Sequence, residues 1–393
     1  MVTSGSMLEI LARDGEARLG VLHTPSGDVD LPAFMPVGTA AAVKGLTPDE
    51  VRSAGFGLLL ANTYHLVLRP GVDVVERAGG IARFMSWRGP VLTDSGGYQI
   101  LSLAHRCKVS EEGVRFQSHI DGSPVSLTPE EAYSAQLRLG ADVAMALDVC
   151  LPSASARPDL ASAASRTTRW LERTLAVREP APLLFGIVQG GVDEDLRLAH
   201  LAEIASLPVD GVALGGLSVG EDLDLTHRLI SAVAPRMPAA SPRYLMGMGR
   251  PEDILHAVRS GIDLFDCVLP TRNARNGQVF TSVGRYSIKW SAWRDDSLPL
   301  DPACSCPACR SFDRRYLRHL FVSGEILSAR LLTLHNLTHY ASLMAGIRSA
   351  IRSARLDDFA RETLEGYARG PGAAPDPDEM ENGASTPRRG RTR

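Results

Sequence analysis

Eight short apolar segments recur along this chain, each closing on glycine or a polar residue: 32–37, 56–61, 90–93, 142–147, 183–188, 211–214, 243–246 and 263–268. Most are continuous hydrophobic runs rather than alternating ones, the pattern of parallel strands covered on both faces. Helix signals lie between them. Thr47-Pro48-Asp49-Glu50 and Thr128-Pro129-Glu130-Glu131 each spell a capping box with proline at the first helical position. Amphipathic stretches over 165–177, 193–206, 223–233 and 251–260 supply further helices. Eight strands alternating with helices predict an α/β fold of the (β/α)8 barrel kind, with a doubly wound open sheet as the competing architecture.

Two stretches interrupt the alternation. In the polar segment 101–127, runs at 114–120 and 124–127 flank Asp121-Gly122, a hairpin turn signal. The second interruption follows the eighth strand and carries a cluster of cysteines. Residues 370–393 are rich in Pro, Gly, Ala and charge, with four arginines among the last six, and are predicted to be a disordered tail. The domain organisation expected is one catalytic barrel over 8–369 that includes an insertion at about 271–335. The chain has 393 residues, 44% hydrophobic and 22% charged, which describes an ordinary globular protein. No apolar run approaches the eighteen residues of a membrane span. The first residues lack the basic-then-apolar layout of a signal peptide. A net charge of −3 confines any nucleic-acid surface to a local patch. Six cysteines, three of them within six residues, do not make a disulfide framework in a chain this long, so a reducing cytoplasm is expected.

Cys304, Cys306 and Cys309 form C-x-C-x2-C, and His335 lies twenty-six residues beyond the last cysteine. Three thiolates and one imidazole complete a closed tetrahedral Zn2+ site, which is structural rather than catalytic. His339, one helical turn later, competes with His335 as the fourth ligand. On a continuous helix Arg310, Arg314 and Arg318 would share a face, read either as a solvated charged surface or as a phosphate contact.

Asp94, in Thr93-Asp94-Ser95-Gly96-Gly97-Tyr98-Gln99, follows the third strand, and Asp266, in Phe265-Asp266-Cys267, closes the eighth. Aspartates at such places often only cap turns. A barrel, however, places its chemistry at the carboxyl ends of its strands. Asp148 occupies the equivalent place after the fourth strand, and Gln189-Gly190-Gly191 and Gly215-Gly216-Leu217 end the fifth and sixth with an amide and open backbone. Acceptors, donors and close-approach backbone suit a planar base read by its edge, and two carboxylates can divide the work at a sugar carbon. Cys150 and Cys267 adjoin these acids and read as pocket-wall or core residues, since no activating histidine is placed beside them.

The motifs Asn62-Thr63-Tyr64-His65-Leu66, Asp94-Ser95-Gly96-Gly97-Tyr98-Gln99, Gly215-Gly216-Leu217-Ser218-Val219-Gly220-Glu221, Tyr244-Leu245-Met246-Gly247, Phe265-Asp266-Cys267-Val268-Leu269-Pro270-Thr271-Arg272 and Ala274-Arg275-Asn276-Gly277, with the zinc ligands, resemble the tRNA-guanine transglycosylase family over about 30–350. The resemblance implies an irregular barrel with a zinc-bearing insertion, acting as a homodimer. It implies exchange of the wobble guanine of tRNAs with GUN anticodons (those for Asp, Asn, His and Tyr) for a 7-deazaguanine. By the same resemblance Asp266 is the nucleophile at ribose C1′ and Asp94 the general acid/base. Ser95, Asp148, Gln189 and Gly216 read the base edge, and the Leu217 carbonyl meets the 7-substituent. Tyr98 and Met246 hold the ring, and Arg272 and Arg275 read the neighbouring anticodon bases.

One departure bears on the substrate. Bacterial members commonly carry Asp-Glu-Cys where this chain has Asp148-Val149-Cys150, which removes a polar group near the substituent pocket. The aminomethyl base preQ1 is favoured, and direct use of queuine is the alternative. Two other classes compete. A non-catalytic accessory subunit need not retain the paired acids, and a hydrolytic nucleosidase leaves the metal insertion and the arginines without a purpose.

Overall fold

In the computed structural model the described residues are 6–103, 105–217 and 220–371. The disordered tail expected at 370–393 falls, apart from Gly370 and Pro371, outside them, as do Ser218 and Val219. The described residues fall into two compact units. One comprises the chain up to Leu269 with Tyr340–Phe359. The other comprises Pro270–His339 and the described residues from Ala360 onward.

The first unit opens with three antiparallel strands, β1 (Leu8–Asp14), β2 (Ala17–Thr24) and β3 (Gly27–Leu31). Six more strands follow: β4 (Ala33–Pro36), β5 (Leu59–Ala61), β6 (Val91–Thr93), then β7 (His105–Val109), β8 (Val114–Gln117) and β9 (Pro124–Leu127), with β8 pairing antiparallel to both β7 and β9. β10 (Val143–Met145), β11 (Leu183–Val188), β12 (Gly211–Leu214), β13 (Arg243–Leu245) and β14 (Leu264–Cys267) follow. Eight of these, in the order β4-β14-β13-β12-β11-β10-β6-β5, form one parallel sheet. A parallel bridge from Val37 to Leu60 brings its two ends together, so the sheet is a nearly closed (β/α)8 barrel. All eight apolar segments read from the sequence are its strands. The runner-up open sheet is excluded by that bridge.

Met35, Leu60, Leu92, Val143, Met145, Phe185, Ile187, Ala213, Tyr244 and Leu264 form one buried cluster. Their strand neighbours Phe34, Leu59, Val91, Ala144, Leu184, Val212, Leu245 and Phe265 are buried as well. Both faces of each strand are therefore covered, which is why the sequence shows runs instead of alternation. Leu8, Leu22, Val29 and Leu31 of the first sheet belong to the same cluster. That sheet was not anticipated, although the exposure pattern of β1 alternates residue by residue.

The capping boxes at Thr47 and Thr128 are formed as predicted, each side chain accepting from the third helical N–H. Helices Glu194–Ser206, Leu223–Val233 and Pro251–Arg259 lie where the periodicity placed them. Arg157–Ala176 begins eight residues before the predicted start at 165. The predicted hairpin is β8 and β9, turning through Gly122 at φ +75°, with β7 as an unpredicted third strand.

Arg18 of β2 and Asp263, just before β14, form a fully buried ion pair. Arg18 Nε donates to Asp263 Oδ1 at 3.0 Å, Nη1 to Ala239 O at 2.8 Å, and Arg243 N–H to Asp263 Oδ2 at 2.8 Å. Removing one partner strands a buried charge. Asp263→Ala is therefore expected to lower unfolding stability by about 3–5 kcal/mol, and the double variant Arg18→Met/Asp263→Leu by clearly less. Denaturant melts of the two check this, and equal losses would contradict it.

Candidate active site and metal centre

The acids sit where their strands run out. Asp94, one residue past β6, is buried, and three donors hold it. Thr63 N–H donates to Oδ1 at 2.9 Å, Gln99 Nε2 donates to Oδ2 at 2.7 Å, and the Asn62 amide donates to Oδ2 as well. Asn62 and Thr63 follow β5, so the ends of two neighbouring strands grip one carboxylate. Burial pushes its pKa up to about 6 against these donors, and the charge of Asp266 adds to the rise.

Asp266 is held on one side only. Its Oδ1 accepts from Tyr244 OH at 2.6 Å and from Gly247 N–H at 2.7 Å, both contributed by the end of β13. Oδ2 has no hydrogen-bond partner among the described residues. Desolvation raises the pKa of this carboxyl, and the Tyr244 and Gly247 donors oppose the rise.

Asp148 anchors a second network. Gln189 Nε2 donates to its Oδ2 at 2.6 Å and Ser95 Oγ to its Oδ1 at 3.3 Å. Burial pushes it up to about 6. Glycine is required around it: a Cβ on Gly97 would lie 2.8 Å from the Asp148 backbone O, and Gly216 sits at φ +62°, where a Cβ would also lie 2.3 Å from Gln189 Oε1. The structure thus joins Ser95, Asp148, Gln189 and Gly216. Leu217 is buried beside them, Met246 is half-buried against the barrel core, and Tyr98 is exposed on the helix Gly97–Leu103. Cys150 and Cys267 are buried thiols pushed up to about 12 by desolvation and a neighbouring aspartate, so neither offers a thiolate.

Several residues of the site escaped the sequence reading. Asn62, Thr63 and Gln99 stand inside motifs of the resemblance, which assigns them no role. Arg197 and His200 stand on the helix Glu194–Ser206, where the sequence periodicity marks only an amphipathic stretch. Both are buried on its apolar face with Leu201 and Ile204. His200 Nδ1 accepts from Gln189 N–H at 2.8 Å, and burial pulls its pKa down to about 4, so the ring is neutral. A cation and an imidazole on the apolar stripe of a helix were the signal available.

In the second unit Arg272 and Arg275 close the helix Leu269–Arg275. Arg272 is exposed, and Arg275 is half-buried with Nη1 on Thr271 O at 2.7 Å. The shared arginine face predicted for Arg310, Arg314 and Arg318 is not formed. Asp313 caps a new helix, Arg314–Val322, and separates it from Pro307–Ser311. Arg314 is buried, paired with Asp296 at 2.9 Å and lying over the Trp293 ring at 4.8 Å, so it serves the core of this unit.

Cys304, Cys306, Cys309 and His335 bring their ligand atoms within 4.8 Å of one another. His335 Nδ1 lies 3.2 Å from Cys309 Sγ and 3.6 Å from Cys306 Sγ. Its Nε2 donates to Phe280 O at 2.8 Å, which fixes the tautomer that leaves Nδ1 as an acceptor toward the sulfurs. The competing His339 is not part of the group and faces Tyr367 OH at 3.0 Å. Three sulfurs and an oriented imidazole fit a metal ion, with all four positions supplied by protein.

Residues 14–369 match the protein family described as queuine tRNA-ribosyltransferase. Among similar curated proteins, the queuine tRNA-ribosyltransferase of Sorangium cellulosum is 52% identical over 363 residues, 92% of each chain. That of Nitratidesulfovibrio vulgaris is 48% identical, covering 92% of this chain and 97% of its own. That of Methylobacillus flagellatus is 49% identical, covering 91% and 97%.

The ligand geometry predicts one tightly held metal ion per chain. Cys306→Ala should lose most of it, as read by plasma emission spectrometry of the dialysed protein, and should make the second unit more sensitive to protease. Metal content equal to that of the unaltered protein would contradict the ligand set.

Proposed function

This chain belongs to the queuine tRNA-ribosyltransferase family of pentosyltransferases, and on that premise we propose that it exchanges guanine 34 of tRNAs with GUN anticodons for a 7-deazaguanine by double displacement. The observation that carries this reading is the unequal holding of the two acids. Asp94 has both oxygens engaged by three donors, whereas Asp266 is fixed through Oδ1 and keeps Oδ2 open. An attacking carboxylate needs one unengaged oxygen on a rigid mount, and a proton carrier needs a tuned pKa.

In the proposed reaction Asp266 Oδ2 attacks ribose C1′ as the C1′–N9 bond breaks, and guanine leaves with the bonding pair. The covalent tRNA ester then meets the entering base. Asp94 takes the N9 proton of that base, which attacks C1′ and releases Asp266. Two inversions retain the configuration. Asp148, Ser95, Gln189 and Gly216 read the edge of the base, the Leu217 carbonyl faces its 7-substituent, and Tyr98 and Met246 hold its ring. Enclosure of the acids favours exchange over hydrolysis. Arg272 and Arg275 are assigned to the anticodon bases beside the exchanged nucleoside.

The favoured base is preQ1. Direct insertion of queuine is the second reading, and the departure at Val149 is what supports it. Against it, Val149 belongs to the hydrophobic cluster of Leu147, Ala163 and Trp170, and its N–H donates to Thr167 Oγ1 at 3.0 Å, which makes it a packing residue. The metal is proposed to be structural zinc, held by Cys304, Cys306, Cys309 and His335, organising the second unit without entering the chemistry. A cytoplasmic homodimer that works as one catalytic domain completes the proposal; no helix among the described residues is long and apolar enough to cross a membrane.

Asp266→Asn should abolish the band of tRNA-linked protein on a denaturing gel, and a variant that still forms it would remove the nucleophile assignment. The pH dependence follows from the raised carboxyls. Below about 6 Asp94 holds a proton and cannot take one from the base, and protonated Asp148 is a poorer acceptor for its edge. The logarithm of kcat/KM should therefore fall as pH is lowered through about 6. A profile flat down to pH 4.5 would contradict the assignment.

A further inference from the structure

Arg197 is fully buried, and no carboxylate lies within ion-pair distance of it among the described residues. Its donors go instead to three backbone carbonyls: Nε to Gly191 O at 2.6 Å, Nη1 to Gly215 O at 3.0 Å and Nη2 to Gly216 O at 2.9 Å. The planar guanidinium thus ties the loop after β11 to the loop after β12. A Cβ on Gly190 would lie 2.8 Å from Arg197 Cγ, so the first loop is packed on the arginine stem as well.

The consequence for the second loop comes from peptide geometry. The two peptide links of Gly215-Gly216-Leu217 are trans, and in a trans peptide the N–H points opposite to the C=O. With the Gly215 and Gly216 carbonyls drawn onto Arg197, the N–H groups of Gly216 and Leu217 are turned the other way. Neither meets an acceptor among the described residues. Gly216 also lies against the Gln189 amide that is bonded to Asp148, since a Cβ on it would meet Gln189 Oε1 at 2.3 Å. Buried donors without partners are rare, and a pair oriented by one guanidinium beside a polar network marks a place for an acceptor.

We infer that Arg197 is the positioning residue for base selection: by holding the Gly215 and Gly216 carbonyls it aims two backbone N–H donors at the acceptor edge of a planar base. The inference rests on the base-exchange reading above. His200, one turn along the same helix, accepts the backbone N–H of Gln189, so one helix holds the Gln189 backbone as well as the two carbonyls behind the donors.

The test compares the whole protein with Arg197→Met and Arg197→Lys, measuring KM for guanine and for preQ1, KM for tRNA, and kcat. In Arg197→Met the base KM should rise at least about tenfold, roughly the loss of one oriented hydrogen bond, with the tRNA KM within about twofold. Arg197→Lys keeps a donor and should lie between. If the methionine variant does not fold, as read by its thermal melt, the lysine variant decides by the same split. A folded variant with unchanged base KM, or one in which base and tRNA KM rise together, would overturn the inference while leaving the exchange reading intact. An unaltered protein that exchanges no base would overturn both.

Discussion

The bridge between Val37 and Leu60 joins the first and second barrel strands, and through it eight parallel strands form one nearly closed barrel. Because the strands are parallel, closure brings all of their carboxyl ends to the same face. Asn62 after β5, Asp94 after β6, Asp148 after β10, Gln189 after β11, Gly216 after β12 and Gly247 after β13 then share that face with Asp266 of β14 without any loop having to travel far. Short strand-end segments on a packed barrel are stiff, and stiffness is what a reaction at a single carbon atom requires.

Placing carboxylates in that enclosed space has an electrostatic cost, visible as raised pKa values at Asp94, Asp148 and Asp266. The protein offsets it with donors on each carboxylate, and the number of donors differs from one to the next. Three donors on Asp94 act against burial and leave its pKa at about 6. Two on a single oxygen of Asp266 leave its other oxygen open. The neutral His200 and the buried Arg197 show the same economy one layer out, where side chains orient backbone groups. The Cys304, Cys306, Cys309 and His335 group answers a different problem, since a metal held there would crosslink four residues of a unit whose core is a small cluster around Trp293, Tyr286 and Leu317.

The barrel was legible because strands buried on both faces write continuous apolar runs, and all eight were found. The capping boxes at Thr47 and Thr128 fixed two helix starts for an equally local reason. What escaped was set by tertiary contact. β1 to β3 carry a weak two-residue period that only their packing on the barrel makes decisive. Arg310, Arg314 and Arg318 have helical spacing, yet Asp313 starts a new helix between them, and Arg314 turns inward to Asp296 and Trp293. Arg197 and His200 look like ordinary polar residues of an amphipathic helix until the loops they hold are in view. The acids, the amide and the glycines could be named from strand ends. The division of donors among them could not, because it depends on which strand ends are neighbours.

Base exchange on the purified protein tests the central claim most directly. A tRNA with a GUN anticodon is incubated with labelled guanine, preQ1 or queuine, each offered separately. The account predicts that label enters the tRNA with the protein alone, fastest among the 7-deazaguanines for preQ1. No incorporation of any of the three by a folded, metal-loaded protein would contradict it.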